Sequence, residues 1–194
     1  TRLFHQGIIL GEDGEKMSKS RGNVVNPDDY VQTLGADAVR AYLAFLGPWD
    51  QGGPWSSRGI QGIPRWLNRV WSLVLETWNA TPTGEPAEND LRTLRRWQHR
   101  TIKRVTEDVE RFRFNTMLAA LMEYTNALGD LRSASVVGTQ AWREAIDTLL
   151  LLLAPIAPHI TEELWERCGH EFSVHTQAWP EYEERFLVEE TKEI

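Results

Sequence analysis

The sequence is poor in residues that could staple it. Its 194 residues include one cysteine, Cys168, so no internal disulfide can form, which fits a reducing compartment. No Cys/His spacing resembles a zinc site, which needs about four convergent ligands. Long apolar runs are missing too. The longest, Leu149 to Ala157, contains Pro155 and is too short to span a bilayer. No secretory leader pattern is visible, and no GxxxxGK[ST] string is present, so a Walker-type loop is excluded. Methionine is absent from the first position. Thr1 stands there, and Leu3 to Leu10 reads as a strand already in progress. The expectation is a piece of a longer polypeptide.

The chain is 41% hydrophobic and carries nine Trp, enough for one good core or two small ones. Its net charge of −7 argues against nucleic acid until the distribution is considered. From Arg92 to Arg113 eight Lys or Arg face Glu107, Asp108 and Glu110, a balance of +5. From Glu181 to Ile194 six Glu face Arg185 and Lys192, a balance of −4. Because salt screens distant charge, a basic face on an acidic protein can still bind phosphate.

Ile8-Ile9-Leu10 reads as a short buried strand, and Gly11 to Gly22 as a loop. Asn26-Pro27-Asp28-Asp29 carries a helix-start signature, and Gly35 stops that helix. Ala36 to Leu46 follows as a helix, with Val39, Tyr42, Leu43 and Leu46 on its inner stripe. GPWDQGGPWSSRG, residues 47–59, reads as a loop whose two Trp make it a packed connection. From Ile63 the pattern is helical. Pro64 suits a first helical position, and Leu67, Val70, Trp71, Val74 and Trp78 point inward. After the breaker TPTGEP, Asn89 or Asp90 can cap a long helix with Leu91, Leu94, Trp97, Ile102, Val105, Val109 and Phe112 inward. Phe114 to Leu131 forms the next. Thr139 caps another, which Pro155 and Pro158 end. Thr161 to Arg167 is the last, with Gly169 as its stop, and the remainder is irregular or extended.

The string KMSKS, residues 16–20, carries the chemistry. Lys16 and Lys19 present two ammonium charges, Ser18 and Ser20 add hydroxyls, and Gly14 and Gly22 let the loop move. Such a loop suits a polyphosphate whose charge shifts during reaction. Two lysines alone would equally fit a solvated basic turn. The wider text goes further. KMSKSRGNVVNPDD, GADAVRAYLAFLGPWDQGGPWSSRGIQG, RFRFNTMLAALMEYTNAL and LAPIAPHITEELW occur in that order. Together they resemble class I aminoacyl-tRNA synthetases, most closely the leucyl family. The valyl and isoleucyl relatives carry Lys where this chain has Arg21 and differ around Asn26.

The resemblance implies a mainly α fold. A helical bundle of the anticodon-binding type would be preceded by the strand-loop-helix end of a Rossmann-like catalytic domain. The implied divisions are residues 1–46 for the catalytic end, 47–62 for a linker, 63–182 for the bundle and 183–194 for a tail leading to a further domain. It implies ATP-dependent activation of leucine and its esterification to tRNA(Leu), without a protein nucleophile. Lys19 would meet the ATP phosphates in the transition state, and Lys16 would support it. Ser18 and Ser20 would shape the loop, and Met17 would anchor it apolarly. Mg2+ would accompany ATP, although no ligand for it is evident. The His-x-Gly-His element that the family places upstream is absent, so the segment alone is expected to be inactive. A cytoplasmic monomer without membrane attachment is implied. The alternatives are a valyl or isoleucyl fragment, a stand-alone tRNA-binding module, or a plain helical interaction domain. The last would tie Lys16 and Lys19 into internal ion pairs.

Arg92, Arg96, Arg100 and Lys103 share one side of the basic helix by their spacing. They are expected to form one exposed stripe that tracks tRNA phosphates without reading sequence. A solvated face with local ion pairs is the competing reading. Trp66, Trp71, Trp97, Trp142 and Trp165 read as packing residues, Trp49 and Trp55 as clamps on the linker, and His159 as structural at a helix start. His170 and His175 have no metal-like spacing.

Overall fold

The computed structural model describes residues 3–187. The expected approach to a further domain therefore lies largely outside the described residues. The element order is β1 (Ile8–Leu10), α1 (Pro27–Leu34), α2 (Ala36–Phe45), β2 (Gly52–Pro54), α3 (Gly62–Thr77), α4 (Glu88–Glu110), α5 (Phe114–Asp130), α6 (Gln140–Leu153) and α7 (Pro158–Arg167). The fold is mainly helical, as expected.

β1 and β2 pair in parallel, Ile8 opposite Gly52 and Leu10 opposite Pro54. The crossover between them is α1 and α2, because parallel strands cannot be joined by a tight turn. β2 falls within the stretch read as a loop, since Gly-Gly-Pro has no strand propensity and pairs only because the fold brings it to β1. Gly52 is required there. It has φ 68°, and a Cβ would lie 2.2 Å from the Ile8 carbonyl oxygen. The strand does not begin at Leu3 and is not buried: Ile8 is 59% exposed.

Local chemistry sets several boundaries as read. The Asn26 side chain accepts from Asp28 N–H, with Pro27 in the first turn, and the Thr139 side chain accepts from Trp142 N–H. Other boundaries differ. Pro64 is the third residue of α3, and α4 begins at Glu88 behind Ala87, not behind Asn89 or Asp90. Phe112 lies beyond the end of α4 at φ 56°. It stacks on Phe4 at 3.9 Å and meets Trp49 edge-on at 5.9 Å. α7 starts at Pro158, and His159 stands inside its first turn. The final segment holds two short 3-10 turns, Val174–Thr176 and Glu184–Phe186.

One core runs from Ala38 in α2 to Val174. Trp66 and Trp142 are fully buried, and each indole N–H has a partner, Thr125 Oγ1 at 3.1 Å and Thr77 Oγ1 at 3.0 Å. That pairing avoids the cost of an orphaned buried donor. Trp165 is buried, while Trp71 and Trp97 pack against the core from its rim. Leu43 is the exception on the expected stripe of α2, at 38% exposure.

α2 is fixed to the far end of the bundle by two polar side chains. Arg40 donates to the carbonyls of Ile156 at 3.0 Å and Pro155 at 2.9 Å. The buried Asp37 carboxylate accepts the N–H of Ile160 at 2.7 Å and of His159 at 3.3 Å, and contacts His159 Nδ1 at 2.8 Å. Ala157 has no side chain to cap α7, so Asp37 satisfies its first-turn donors from another helix.

Candidate phosphate-binding loop and basic helix face

The lysine loop hangs between β1 and α1. Gly14 and Gly22 both take positive φ, 76° and 69°, which lets the chain turn twice within a few residues. Leu10 and Lys16 form an isolated antiparallel bridge, and Gly11 N–H donates to Glu15 O at 2.9 Å. A 3-10 turn spans Lys19–Arg21. Ser18 and Ser20 join through their hydroxyls at 2.8 Å. Met17 packs against the core, which agrees with an apolar anchor. The loop is thus shaped by internal bonds as well as by its glycines.

Its charges divide unequally. Arg21 pairs with Glu15 at 3.2 Å. Lys16 and Lys19 are exposed, and neither ammonium has an acidic partner among the described residues. Two cations within one short loop, left unpaired, favour an external anion.

The loop's base is tied to the connection that follows β2. Glu12 accepts the N–H of Ser57 at 2.5 Å, and that bond holds its carboxyl below the usual range. Ser57 Oγ meets the Tyr30 hydroxyl at 2.5 Å, and the Trp55 indole N–H is shared between them at 3.3 Å each. Trp55 is buried, Trp49 packs edge-on against Phe114 at 5.4 Å, and both therefore clamp the connection.

On α4 the four expected basic residues share one side but not one exposure. Arg92 and Arg100 are exposed, whereas Arg96 and Lys103 are half-buried. Arg92 donates to Asn89 Oδ1 at 3.0 Å, and the Arg100 guanidinium lies 5.8 Å from the Trp97 ring. Lys103 Nζ is 3.4 Å from Glu184 and 5.2 Å from the Tyr182 ring. The acidic C-terminal segment crosses α4 there. Trp179 donates to Thr106 Oγ1 at 2.8 Å, Glu183 N–H donates to His99 Nδ1 at 3.0 Å, and Phe186 stacks on His99 at 4.5 Å. The fully exposed stripe is corrected accordingly. The basic and acidic stretches, far apart along the chain, meet in the fold.

Sequence reading missed Glu12, Asp13, Asn23 and His99. Asp13 and Asn23 carried one signal, since short polar side chains beside glycine often bond nearby backbone. His170 Nε2 pairs with Asp147 at 2.8 Å and stacks on Trp165 at 3.9 Å, a structural setting. Burial raises the Asp147 carboxyl and pushes the nearby Cys168 thiol up to about 12, so that thiol is not an activated nucleophile.

Known proteins resemble the chain along its whole length. The model for tRNA synthetases class I (I, L, M and V) matches residues 1–51, and that for the anticodon-binding domain of tRNA ligase matches residues 92–194. A leucine–tRNA ligase of Herpetosiphon aurantiacus is 55% identical over all of this chain and 23% of its own length. One of Rubrobacter xylanophilus is 55% identical over 98% of this chain and 22% of its own. The chain thus spans under a quarter of these relatives. An Agrobacterium radiobacter K84 LeuRS, solved as a ternary complex with tRNA and LeuAMS, superposes with a TM-score of 0.85 at 35% identity, over 96% of this chain and 25% of that one. A bundle with β1, the lysine loop and α1 at its head, matched across both parts, places the chain in the family of tRNA-ligase anticodon-binding domains, with a head segment that matches the class I tRNA synthetase model.

Proposed function

We propose that this chain is a C-terminal part of a leucine–tRNA ligase, inactive without the rest of the enzyme. Lys16 and Lys19 meet the phosphates of ATP while leucine is activated, and the helical bundle receives tRNA(Leu). The observation that carries the reading is the division of charge in the loop: Arg21 is paired, and both lysines are held out unpaired. A plain interaction domain would have consumed them. Their two ammoniums stabilise charge developing on the transferring phosphate region, so catalysis rests on positioning and electrostatics. No protein nucleophile takes part.

Residues 1–46 act as the catalytic end, 47–62 as the linker and 63–182 as the bundle, with 183–194 leading onward. Leucine is favoured over valine or isoleucine because relatives of 45% to 55% identity are leucine–tRNA ligases. Transfer of tRNA binding to this chain is supported by the relative solved with tRNA. Magnesium would arrive with ATP as part of the substrate; among the described residues no cluster of His, Cys, Asp or Glu is placed to hold a metal ion. The proposed setting is the cytoplasm, with the enzyme working as a monomer. No described helix is long and apolar enough to cross a membrane.

The test is leucine-dependent ATP–pyrophosphate exchange and charging of leucine, valine and isoleucine tRNAs by the full-length protein containing this segment. Exchange and charging with leucine alone are expected. Preference for another amino acid, or tRNA binding without exchange, would overturn the reading in favour of the other fragment or the stand-alone module.

A further inference from the structure

We infer that Asn23 is a positioning residue for the lysine loop, acting as a clamp together with Asp13; the inference rests on the proposed role of Lys16 and Lys19. The Asn23 carboxamide works at both ends. Its oxygen accepts the N–H of Ser18 at 2.8 Å. Its nitrogen donates to both carboxylate oxygens of Asp13, at 3.2 and 3.0 Å, and to the carbonyl of Lys16 at 3.4 Å. Asp13 also accepts the N–H of Glu15 at 3.0 Å, a bond that holds its carboxyl below the ordinary range. One side chain therefore grips the backbone at Lys16 and again at the residue before Lys19.

Gly11 is an independent mark of the same device. A Cβ at residue 11 would lie 2.7 Å from Asp13 Oδ1 and 3.0 Å from Asn23 Nδ2. The missing side chain is the space in which the clamp sits. Gly11 N–H also closes the hairpin onto Glu15 O.

Fixing the backbone on either side of Met17 sets where the two ammoniums emerge. Without the clamp each lysine must be ordered anew as the phosphate is met, and that cost falls on the reacting state. The side chain touches backbone and a carboxylate, so its effect on reaction runs through the lysines.

The experiment is ATP–pyrophosphate exchange in the full-length protein, with four variants read in parallel. Asn23→Ala is expected to lower kcat about tenfold while the leucine KM stays unchanged, because the loop faces phosphate and not the amino acid. Asn23→Asp, nearly isosteric, is expected to be at least as slow, since it sets a second carboxylate against Asp13. Combining Asn23→Asp with Asp13→Asn exchanges donor and acceptor in that pairing but gives up the bond to the Lys16 carbonyl, so it is expected to recover part of the rate lost in Asn23→Asp, a coupling that unrelated sites would not display. Lys19→Ala is the reference. If Lys19→Ala is slow and Asn23→Ala stays within about twofold of the parent, the clamp is refuted and the loop reading survives. If Lys19→Ala has no effect, both fall. An exchanged pair that recovers nothing refutes the pairing. Should Asn23→Ala fail to fold, Asp13→Ala is read by the same criteria.

Discussion

His99 on α4 accepts the backbone N–H of Glu183 through Nδ1 at 3.0 Å, and Phe186 stacks on the same ring. An imidazole nitrogen accepts only while it carries no proton. Burial holds the His99 pKa below its ordinary 6.5; Arg95 and Arg185 lower it further, while Glu183 and Glu144 act the other way. The folded pKa is thus the depressed one. The stabilisation from this bond is complete above pH 6.5 and disappears as pH falls from that value through the folded pKa. Thermal unfolding followed between pH 7.5 and 5.5 is expected to show falling stability over that window. His99→Gln, which keeps an acceptor and cannot titrate, is expected to flatten it. Identical profiles for both proteins would contradict the assignment.

Asp37→Ala removes the acceptor for two first-turn N–H groups of α7 and is expected to cost about 2 kcal/mol, the low end of about 1–3 for each orphaned donor, because both N–H groups are only partly buried. Asp37→Asn keeps one oxygen in place and is expected to cost about half as much. Urea titrations of the three proteins measure both. Equal stability of Asp37→Ala and parent would mean that water replaces the carboxylate without penalty.

Lys19→Ala in the full-length protein is expected to slow leucine activation about 10²-fold or more, the scale of removing one charge interaction made in the transition state. The leucine KM is expected to stay put. Steady-state exchange kinetics separate the two quantities, and a raised KM at constant kcat would reassign the residue to ground-state binding.

Arg96→Glu with Arg100→Glu is expected to weaken binding to all tRNAs alike, because interactions with phosphate carry no sequence information. The log–log salt slope is expected to flatten by about 0.7 to 0.9 for each phosphate no longer neutralised. Lys103→Glu is expected to matter less, since Glu184 already meets that ammonium. Affinity measured across a salt series decides. An unchanged slope in the double variant would leave α4 as a solvated face.

Features set by neighbours along the chain are legible in the sequence itself. Asn26 and Thr139 announce their helices because a cap is a bond across two or three residues. The buried Trp142 follows from spacing alone. Features set by distant partners are not legible in that way. β2 is three residues without a strand-forming side chain, stabilised by β1. The pattern starts α7 at Thr161, too late, because its cap is contributed by Asp37, far away in the chain. Within the site, the lysines are readable as a motif, while Asn23 is hidden because its bonds follow no period. Lys103 looks free in the sequence for the same reason: Glu184 is remote along the chain and adjacent in space.

The polar side chains of α2 have a calendar. Arg40 and Asp37 find their partners 115 to 123 residues downstream. At a ribosomal pace of about 5 to 20 residues per second, those partners are made roughly 6 to 25 s after α2 itself. Through that interval the carboxylate and guanidinium must stay hydrated, and the apolar side of α2 cannot close over them without cost. The contacts of α2 are thus completed late, only once α7 has left the ribosome. A polypeptide released before Pro155 would carry the lysine loop on a platform that has no floor.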